Sequence, residues 1–339
     1  MSAADVCSGK RVLVTGGAGF IGSHLTHTLV EMGAKVRVVD NLVRGSLENL
    51  EDVAKQIEFI KGDLTSAEVC KRAVEKIDYV FHLASKVGGI GYYMTKPGEV
   101  YTNNILMDTQ MALAARAAGV QRYVFSSSAH VYPRHLQSTE MAAPLHEAQA
   151  YPADPAISYG WAKLFSEKLI QYQNVEELTM RTAIVRIVGA FGERQDIDLN
   201  TASAIPAFCR RAVEYPKQSP FKMLGEGKET RSYCYVGDVV DGMIHCLKNL
   251  TKVPEIGPIN LGNEGRVTIA DLVKMVIEVS GKKIEVVCVP TPESGIRGQA
   301  VDCALARQQI PEWKPRVSLK EGILRTYRDV ERRLAKTRG

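Results

Sequence analysis

Short apolar runs recur through the first half of the chain: Arg11–Thr15, Lys35–Asp40, Ile57–Lys61, Tyr79–Leu83, Arg122–Ser126 and Met180–Ile187, each bounded by turn residues. Between them lie longer stretches with helical spacing, from the glycines after Thr15 to Met32 and from about Asn103 to Ala118. Continuous apolar runs of this length suit strands buried on both faces. Their alternation with helices predicts βαβ units, right-handed crossovers and a doubly wound parallel sheet of the α/β class.

The texture changes after Gly189. Ala142–Pro155, with three prolines, is already a loop leading into a helix at Tyr159, and Glu193–Thr201 is polar and irregular, as a mobile lid would be. Ile205–Glu214 predicts a helix, and Phe221–Leu224 and Arg231–Val236 predict strands. Thr268–Ser280 is an amphipathic helix, opened by Thr268 with Asp271 at capping-box spacing. The expected organisation is a first domain over 1–190, rejoined by returning chain at about 231–262, and a smaller C-terminal α/β lobe made mainly of 191–339.

Chemistry enters first at Val14-Thr15-Gly16-Gly17-Ala18-Gly19-Phe20-Ile21-Gly22. A glycine turn that follows a strand and opens a helix brings backbone close to a pyrophosphate, and the helix N-terminus faces it with free N–H groups. This is the fingerprint of a Rossmann-type dinucleotide site. Asp40 ends the second strand, 18 residues after Gly22. A carboxylate there accepts from the adenine ribose hydroxyls and repels a 2′-phosphate, which favours NAD over NADP; Arg44 nearby weighs the other way. Asn41 adjoins Asp40, and Asp63-Leu64 stands where a carboxylate can meet the adenine amino group. Leu83 and Ser85 follow the fourth strand at the expected cofactor edge. His82 beside them is either a site residue or a satisfied core histidine.

Tyr159 and Lys163 stand four apart on a helix, hence on one face. A neighbouring ammonium and a positively charged nicotinamide both favour phenolate and lower a tyrosine's pKa. Ser126-Ser127-Ser128 closes the preceding strand and can supply a hydroxyl beside the same substrate oxygen. With the glycine turn, these residues predict redox chemistry at an alcohol carbon.

Bulk properties narrow the class without changing it. The chain has 339 residues, 45% hydrophobic and 24% charged, with a net charge of +5. Its positive residues are scattered except for a basic tail, Arg325 to Arg338, which is expected to be a solvated helix face and not a nucleic-acid site. The seven cysteines are dispersed, with no zinc spacing, and fit a reducing compartment. Met1–Lys10 has no apolar run and no stretch is long enough to span a bilayer. A cytoplasmic protein without membrane association is expected.

These motifs resemble the nucleotide-sugar epimerases and dehydratases of the extended short-chain dehydrogenase/reductase family, from about residue 10 to 330. Within it the chain is most similar to the GDP-mannose 3,5-epimerases, through Val87-Gly88-Gly89-Ile90-Gly91, Ser128-Ala129-His130-Val131-Tyr132-Pro133, Tyr151-Pro152-Ala153-Asp154-Pro155, Pro206–Arg211, Gly225–Ser232 and Gly295-Ile296-Arg297-Gly298. The resemblance implies bound NAD, a nucleoside-diphosphate sugar, and Ser128, Tyr159 and Lys163 as the redox triad. It also implies Gly88, Gly89, Ser128 and His130 at the sugar, and Arg211, Arg231 and Arg297 at the diphosphate. A homodimer through the helices near Asn103–Ala118 and Tyr159–Asn174 is implied too; Leu106, Met107, Met111 and Leu113 either serve there or cover the sheet.

Two departures bear on the product. Those 3,5-epimerases carry an acid/base Cys where this chain has His130, and a Lys, or a His in related enzymes, where it has Ser203. The acidic residue that dehydratases and decarboxylases place at or beside position 130 is absent as well. A 4-epimerase needs no second acid/base. In a third departure, the usual Asn after the strand ending at Ile187 is Gly189, so a diphosphate or sugar contact is missing. The expectation is therefore C4 epimerisation of a GDP-mannose-like sugar nucleotide through a transient 4-keto sugar. The alternatives are C3/C5 epimerisation using His130, net oxidation of a small alcohol, and a catalytically silent NAD-binding protein.

Overall fold

The computed structural model describes residues 3–88, 93, 95–176, 178–217, 220–290 and 296–336. After a short helix α1 (Ala3–Cys7), the chain runs β1 (Arg11–Thr15), α2 (Phe20–Glu31), β2 (Lys35–Asp40), β3 (Ile57–Lys61), α3 (Ala67–Ala73), β4 (Tyr79–His82), α4 (Pro97–Ala117), β5 (Arg122–Ser128), α5 (Ser158–Glu176), β6 (Arg181–Ile187) and β7 (Ala190–Phe191). There follow α6 (Ala204–Glu214), β8 (Phe221–Leu224), β9 (Thr230–Arg231), β10 (Cys234–Tyr235), α7 (Val236–Asn249), β11 (Glu255–Leu261), β12 (Val267–Thr268), α8 (Ile269–Ser280), β13 (Val286–Val289), β14 (Gly298–Gln299), α9 (Ala304–Gln309) and α10 (Leu319–Lys336).

Seven strands form one sheet in the order β11-β6-β5-β4-β1-β2-β3, every neighbouring pair parallel. The doubly wound sheet expected from the apolar runs is therefore present. The order reverses between β1 and β4, which opens a crevice at the carboxyl ends of these two strands, the usual ligand position in such sheets. Leu25 and Leu29 of α2 pack on one face together with Val239, Met243 and Leu247 of α7. Cys70 of α3, Met107 and Met111 of α4 and Ile170 of α5 pack on the other.

Beyond β7 a second core gathers Phe208, Phe221, Leu272, Val276, Ile323 and Tyr327 from α6, β8, α8 and α10. Phe20 and Ile21 at the start of α2 reach this core. Thr268 caps α8 as its spacing predicts, accepting from Asp271 N at 3.0 Å. On α10 the buried stripe is Ile323, Tyr327, Val330 and Leu334, which leaves Arg325, Arg328 and Arg332 on the solvent side.

The expected strand Arg231–Val236 is instead two short ones, β9 and β10, and Val236 already starts α7. The long helix begins at Pro97 and not near Asn103: proline suits a first helical position, where no N–H is needed. The segment 193–201 is irregular, as expected, but it is tied down. The Glu193 carbonyl lies 3.0 Å from His24 Nε2, Arg194 N donates to Asp329, and Arg333 donates to the Gln195 carbonyl.

Candidate active site

The glycine turn shows why its residues are small. A Cβ on Gly22 would lie 2.1 Å from the Gly16 carbonyl oxygen, and one on Gly16 would lie 2.9 Å from the Ala84 backbone. The turn can therefore press α2 against the sheet only with glycine. Gly19 is the N-cap, and no side chain caps the first turn of α2, which holds Phe20, Ile21 and Gly22. Its N–H groups remain for an external acceptor, which fits a dinucleotide pyrophosphate.

Asp40 lies at the edge of this turn, 8% exposed. Its carboxylate accepts from Ala18 N at 3.0 Å and Leu42 N at 2.8 Å. Burial raises its pKa, and the two N–H bonds oppose that. Arg44 pairs with Asp196 at 2.8 Å, so the charge that weighed toward a 2′-phosphate meets a carboxylate from the 193–201 segment. Asp63 accepts from Thr65 N, which together with the Thr65 and Asn41 side chains holds its pKa down. Leu64 is buried and Leu83 half-buried beneath this edge.

At the other end of the crevice Tyr159 and Lys163 share one face of α5. Ser128 ends β5, and its Oγ accepts from His130 N at 3.2 Å. Burial pushes the Tyr159 phenol up to about 12; hydrogen bonds with Ser85 and Ser128 pull the other way, while the Asp108 charge adds to the rise. Lys163 is not among the causes of this shift; its ammonium faces Asp108, at 3.3 Å from Oδ2. Asp108 is a site residue the sequence reading missed. So is Asn104, which accepts from Ser85 Oγ at 2.6 Å and Lys86 N at 2.9 Å and steadies the loop after β4. The available signal was two polar residues four apart on the α4 face that also carries Val100, Met107 and Met111.

His82 is the satisfied core histidine: it is fully buried, with Thr15 Oγ at 2.7 Å from Nδ1 and Asp108 Oδ1 at 3.0 Å from Nε2. His130 instead faces the site. Its ring lies edge-on to Tyr159 at 5.9 Å between centroids, and Tyr93 stacks on Tyr159 at 5.6 Å. Burial, aided by Arg231, lowers the imidazole to about 4, and its buried Nδ1 has no hydrogen-bond partner among the described residues.

Of the three arginines, Arg231 on β9 donates to the carbonyls of Thr230, Arg297 and Ile296, and its charge reaches His130. Arg297 donates to Glu140 at 2.6 Å. Arg211 lies on α6 over the Phe208 ring, its charge disfavoured by burial. Gly88 is half-buried after β4, while Gly89 lies outside the described residues. Ser203 caps α6 without a side-chain capping bond and accepts from Gln195 Nε2 at 2.9 Å. Gly189 has a conformational reason: its φ is +55°, and a Cβ would meet the Ser232 carbonyl oxygen at 2.0 Å. No asparagine fits there while β9 and β10 keep their course.

Residues 12–262 match the model of the NAD dependent epimerase/dehydratase family. Among curated proteins, GDP-mannose 3,5-epimerase of Arabidopsis thaliana is 32% identical over 317 residues, covering 94% of this chain and 81% of that protein. UDP-glucose 4-epimerase of Thermotoga maritima, solved with UDP-glucose, superposes with a TM-score of 0.83 at 28% identity, covering 96% of this chain and 99% of the other. The Thermus thermophilus UDP-glucose 4-epimerase, solved in complex with NAD, gives 0.82 at 27%, covering 94% and 98%. Among the described residues no helix is long and apolar enough to cross a membrane.

Proposed function

The chain belongs to the NAD-dependent epimerase/dehydratase family, and from that premise we propose that it is a nucleoside-diphosphate-sugar epimerase working through a transient 4-keto sugar, with C4 inversion of a GDP-mannose-like substrate as its reaction. The observation that carries this reading is the gathering of Ser85, Ser128 and Tyr159 at the carboxyl edge of β4 and β5, with the uncapped glycine turn at the edge of β1 beside them.

The Gly16–Gly22 turn holds the pyrophosphate of NAD, Asp40 and Asn41 the adenine ribose, Asp63 and Leu64 the adenine side, and Lys163 the nicotinamide ribose. Bound NAD supplies the acceptor and later the donor of the C4 hydride. Tyr159 takes the C4 hydroxyl proton and gives it back to the inverted alcohol. Ser128 holds the C4 oxygen while it is a ketone. Arg211, Arg231 and Arg297 neutralise the diphosphate, with forked donors suited to its oxygens. In this arrangement residues 1–190 and the returning 231–262 carry the cofactor, and the rest carries the sugar nucleotide.

His130 decides between this reading and C3/C5 epimerisation. An imidazole lowered to about 4 is neutral at neutral pH and a weak base, which supports a hydroxyl contact over proton abstraction from carbon. Its Nδ1, without a partner among the described residues, on a ring beside Tyr159, is the observation that favours the second reading. Incubation with GDP-mannose and UDP-glucose in heavy water separates the two. Inversion at C4 without carbon-bound deuterium is expected; deuterium at C3 or C5 sinks the C4 proposal. Absence of any hydride transfer across a broad panel of sugar nucleotides leaves the silent NAD-binding reading.

A homodimer is proposed on the outer face of α4 and α5. Met107 and Met111 are buried against the sheet, whereas Leu106, Leu113, Trp161, Phe165 and Tyr172 are exposed, a patch that calls for a partner surface.

A further inference from the structure

Beneath Tyr159 a chain of buried polar groups runs from the glycine turn to the lysine. Thr15 ends β1, and its Oγ accepts the N–H groups of Leu83 and Ala84, each at 3.1 Å. Its own proton is then left for His82 Nδ1 at 2.7 Å. That assigns the proton of neutral His82 to Nε2, which donates to Asp108 Oδ1 at 3.0 Å. Asp108 Oδ2 accepts from Ser166 Oγ at 2.8 Å. Lys163 Nζ stands 3.3 Å from Oδ2 and 3.5 Å from Oδ1. Asp108 is 1% exposed, and His82 and Lys163 are fully buried.

A carboxylate here is not a packing device. An amide or an apolar side chain fills the same space without the desolvation that a buried charge incurs. Its location also opposes the usual purpose of a Tyr–Lys pair, in which a bare ammonium draws the phenol toward phenolate. Lys163 Nζ lies 5.9 Å from the Tyr159 ring centroid and 4.6 Å from that of Phe125. The ammonium therefore rests between an aromatic face and a carboxylate.

We propose that Asp108 is a positioning residue of the redox pair. Its carboxylate, held by His82 and Ser166, sets where the Lys163 ammonium rests and how much of its charge reaches the Tyr159 hydroxyl. The buried pair is neutral as a unit, so Tyr159 keeps its proton until a positive nicotinamide adjoins it. Phenol ionisation thereby follows the charge of the cofactor and not the lysine alone. This inference rests on the reading of Tyr159 and Lys163 given above.

The groups facing this centre come from every surrounding element: Asp108 from α4, Lys163 and Ser166 from α5, His82 from β4, Tyr123 from β5, His130 after β5, and Tyr93 stacked on Tyr159. Arg231 acts on His130 from the second region. Burial pushes Asp108 up, yet Lys163 and His82 together hold it below the usual carboxylate range, so it carries its charge at neutral pH. Burial lowers His82, consistent with the neutral tautomer deduced from its partners. Among these groups Asp108 is the one whose removal leaves Lys163 without its counter-ion.

The test is the tyrosinate ultraviolet absorption of the NAD-loaded protein against pH, with the matching Tyr159→Phe protein subtracted in each case. Asp108→Asn is expected to lower the Tyr159 midpoint by about one unit, a tenfold change in phenolate on the acid side. Lys163→Met is expected to raise it, and the double variant to return it toward wild type. A wild-type midpoint in Asp108→Asn overturns the proposal. If Asp108→Asn does not fold, Asp108→Ser, which also removes the carboxylate and keeps Lys163, takes its place; a midpoint no lower than wild type in that variant overturns the proposal equally. The pH profile of C4 inversion is the second readout. Its acid limb is expected to move down in Asp108→Asn, whereas a purely structural role lowers the rate evenly at all pH values. Should wild type turn over no sugar nucleotide, the functional reading fails while the titration still decides on Asp108; should turnover be normal and the limb stay in place, Asp108 fails alone.

Discussion

Gly160, the second residue after α5 begins, sets the spacing of the site, and Gly160→Ala measures how tightly. A Cβ there would lie 2.0 Å from the His130 carbonyl oxygen, 2.8 Å from its carbon and 2.9 Å from Pro155 Cβ. None of these can rotate aside, since two belong to backbone and one to a proline ring. Ordinary carbon–oxygen contact needs about 3.3 Å, so the 129–131 turn must retreat from α5 by roughly 1.3 Å. The overpacking costs about 1–3 kcal/mol, which is affordable within a folding stability of about 5–15 kcal/mol. Catalysis tolerates less. The retreating turn is capped by Ser128, whose hydroxyl belongs beside Tyr159, and a displacement of about 1 Å between reacting groups lowers rate by roughly 100-fold. Gly98→Ala is the control, because its Cβ meets nothing within 4 Å. The assay is kcat/KM for C4 inversion alongside thermal melting and the content of bound NAD. The expected result is a folded, NAD-loaded Gly160→Ala protein about two orders of magnitude slower than Gly98→Ala. Equal rates for the two variants would falsify the claim that this contact sets the geometry of Ser128 and Tyr159.

Three further outcomes follow from other contacts. Glu167 and Arg186 form a two-pronged buried pair at 2.9 and 2.7 Å, so Glu167→Gln should cost about 3–5 kcal/mol by leaving the guanidinium uncompensated, while Glu167→Leu with Arg186→Met should recover most of it; chemical denaturation midpoints decide, and a double variant as weak as the single contradicts the argument. His130, lowered to about 4 by burial, binds its proton more weakly folded than unfolded, so its contribution is complete at and above about pH 6.5 and is lost on acidification toward pH 4, by about 3 kcal/mol; His130→Asn should flatten that part of the stability–pH curve, and an unchanged slope assigns the loss elsewhere. Leu113→Glu with Phe165→Glu should convert the protein to monomers by light scattering, since both side chains are exposed on the face proposed for the dimer; an unchanged mass removes α4 and α5 from the interface.

The sheet was legible because its strands are buried on both faces, and continuous apolar runs report that directly. Element ends were less so: β9 and β10 fall within one expected run, and the chain between them passes so close to Gly189 that a Cβ there would lie 2.0 Å from the Ser232 carbonyl oxygen. The cofactor turn was legible because glycine spacing encodes a steric need. Asp108 was not, because its meaning comes from partners 26 and 55 residues away, on elements that only the packed fold brings together. Tyr159 shows the same limit. The four-residue spacing placed Lys163 on its face, but the direction of the phenol's shift depended on burial and on the carboxylate that claims the ammonium.

Strand β11 also has a consequence for how the protein is made. It pairs with β6 through Ile259, Asn260 and Leu261, and α7, which precedes it, covers one face of the sheet. Roughly 70 residues separate the end of β6 from the completed β11, about 4–15 seconds of ribosomal elongation. Throughout that interval β6 presents an unpaired row of backbone N–H and C=O groups, the kind of edge on which nascent chains associate with one another. Truncation anywhere between these strands makes the interval permanent. Yield of soluble protein should therefore depend on elongation speed and on chaperone supply across this window more than on the stability of the finished fold.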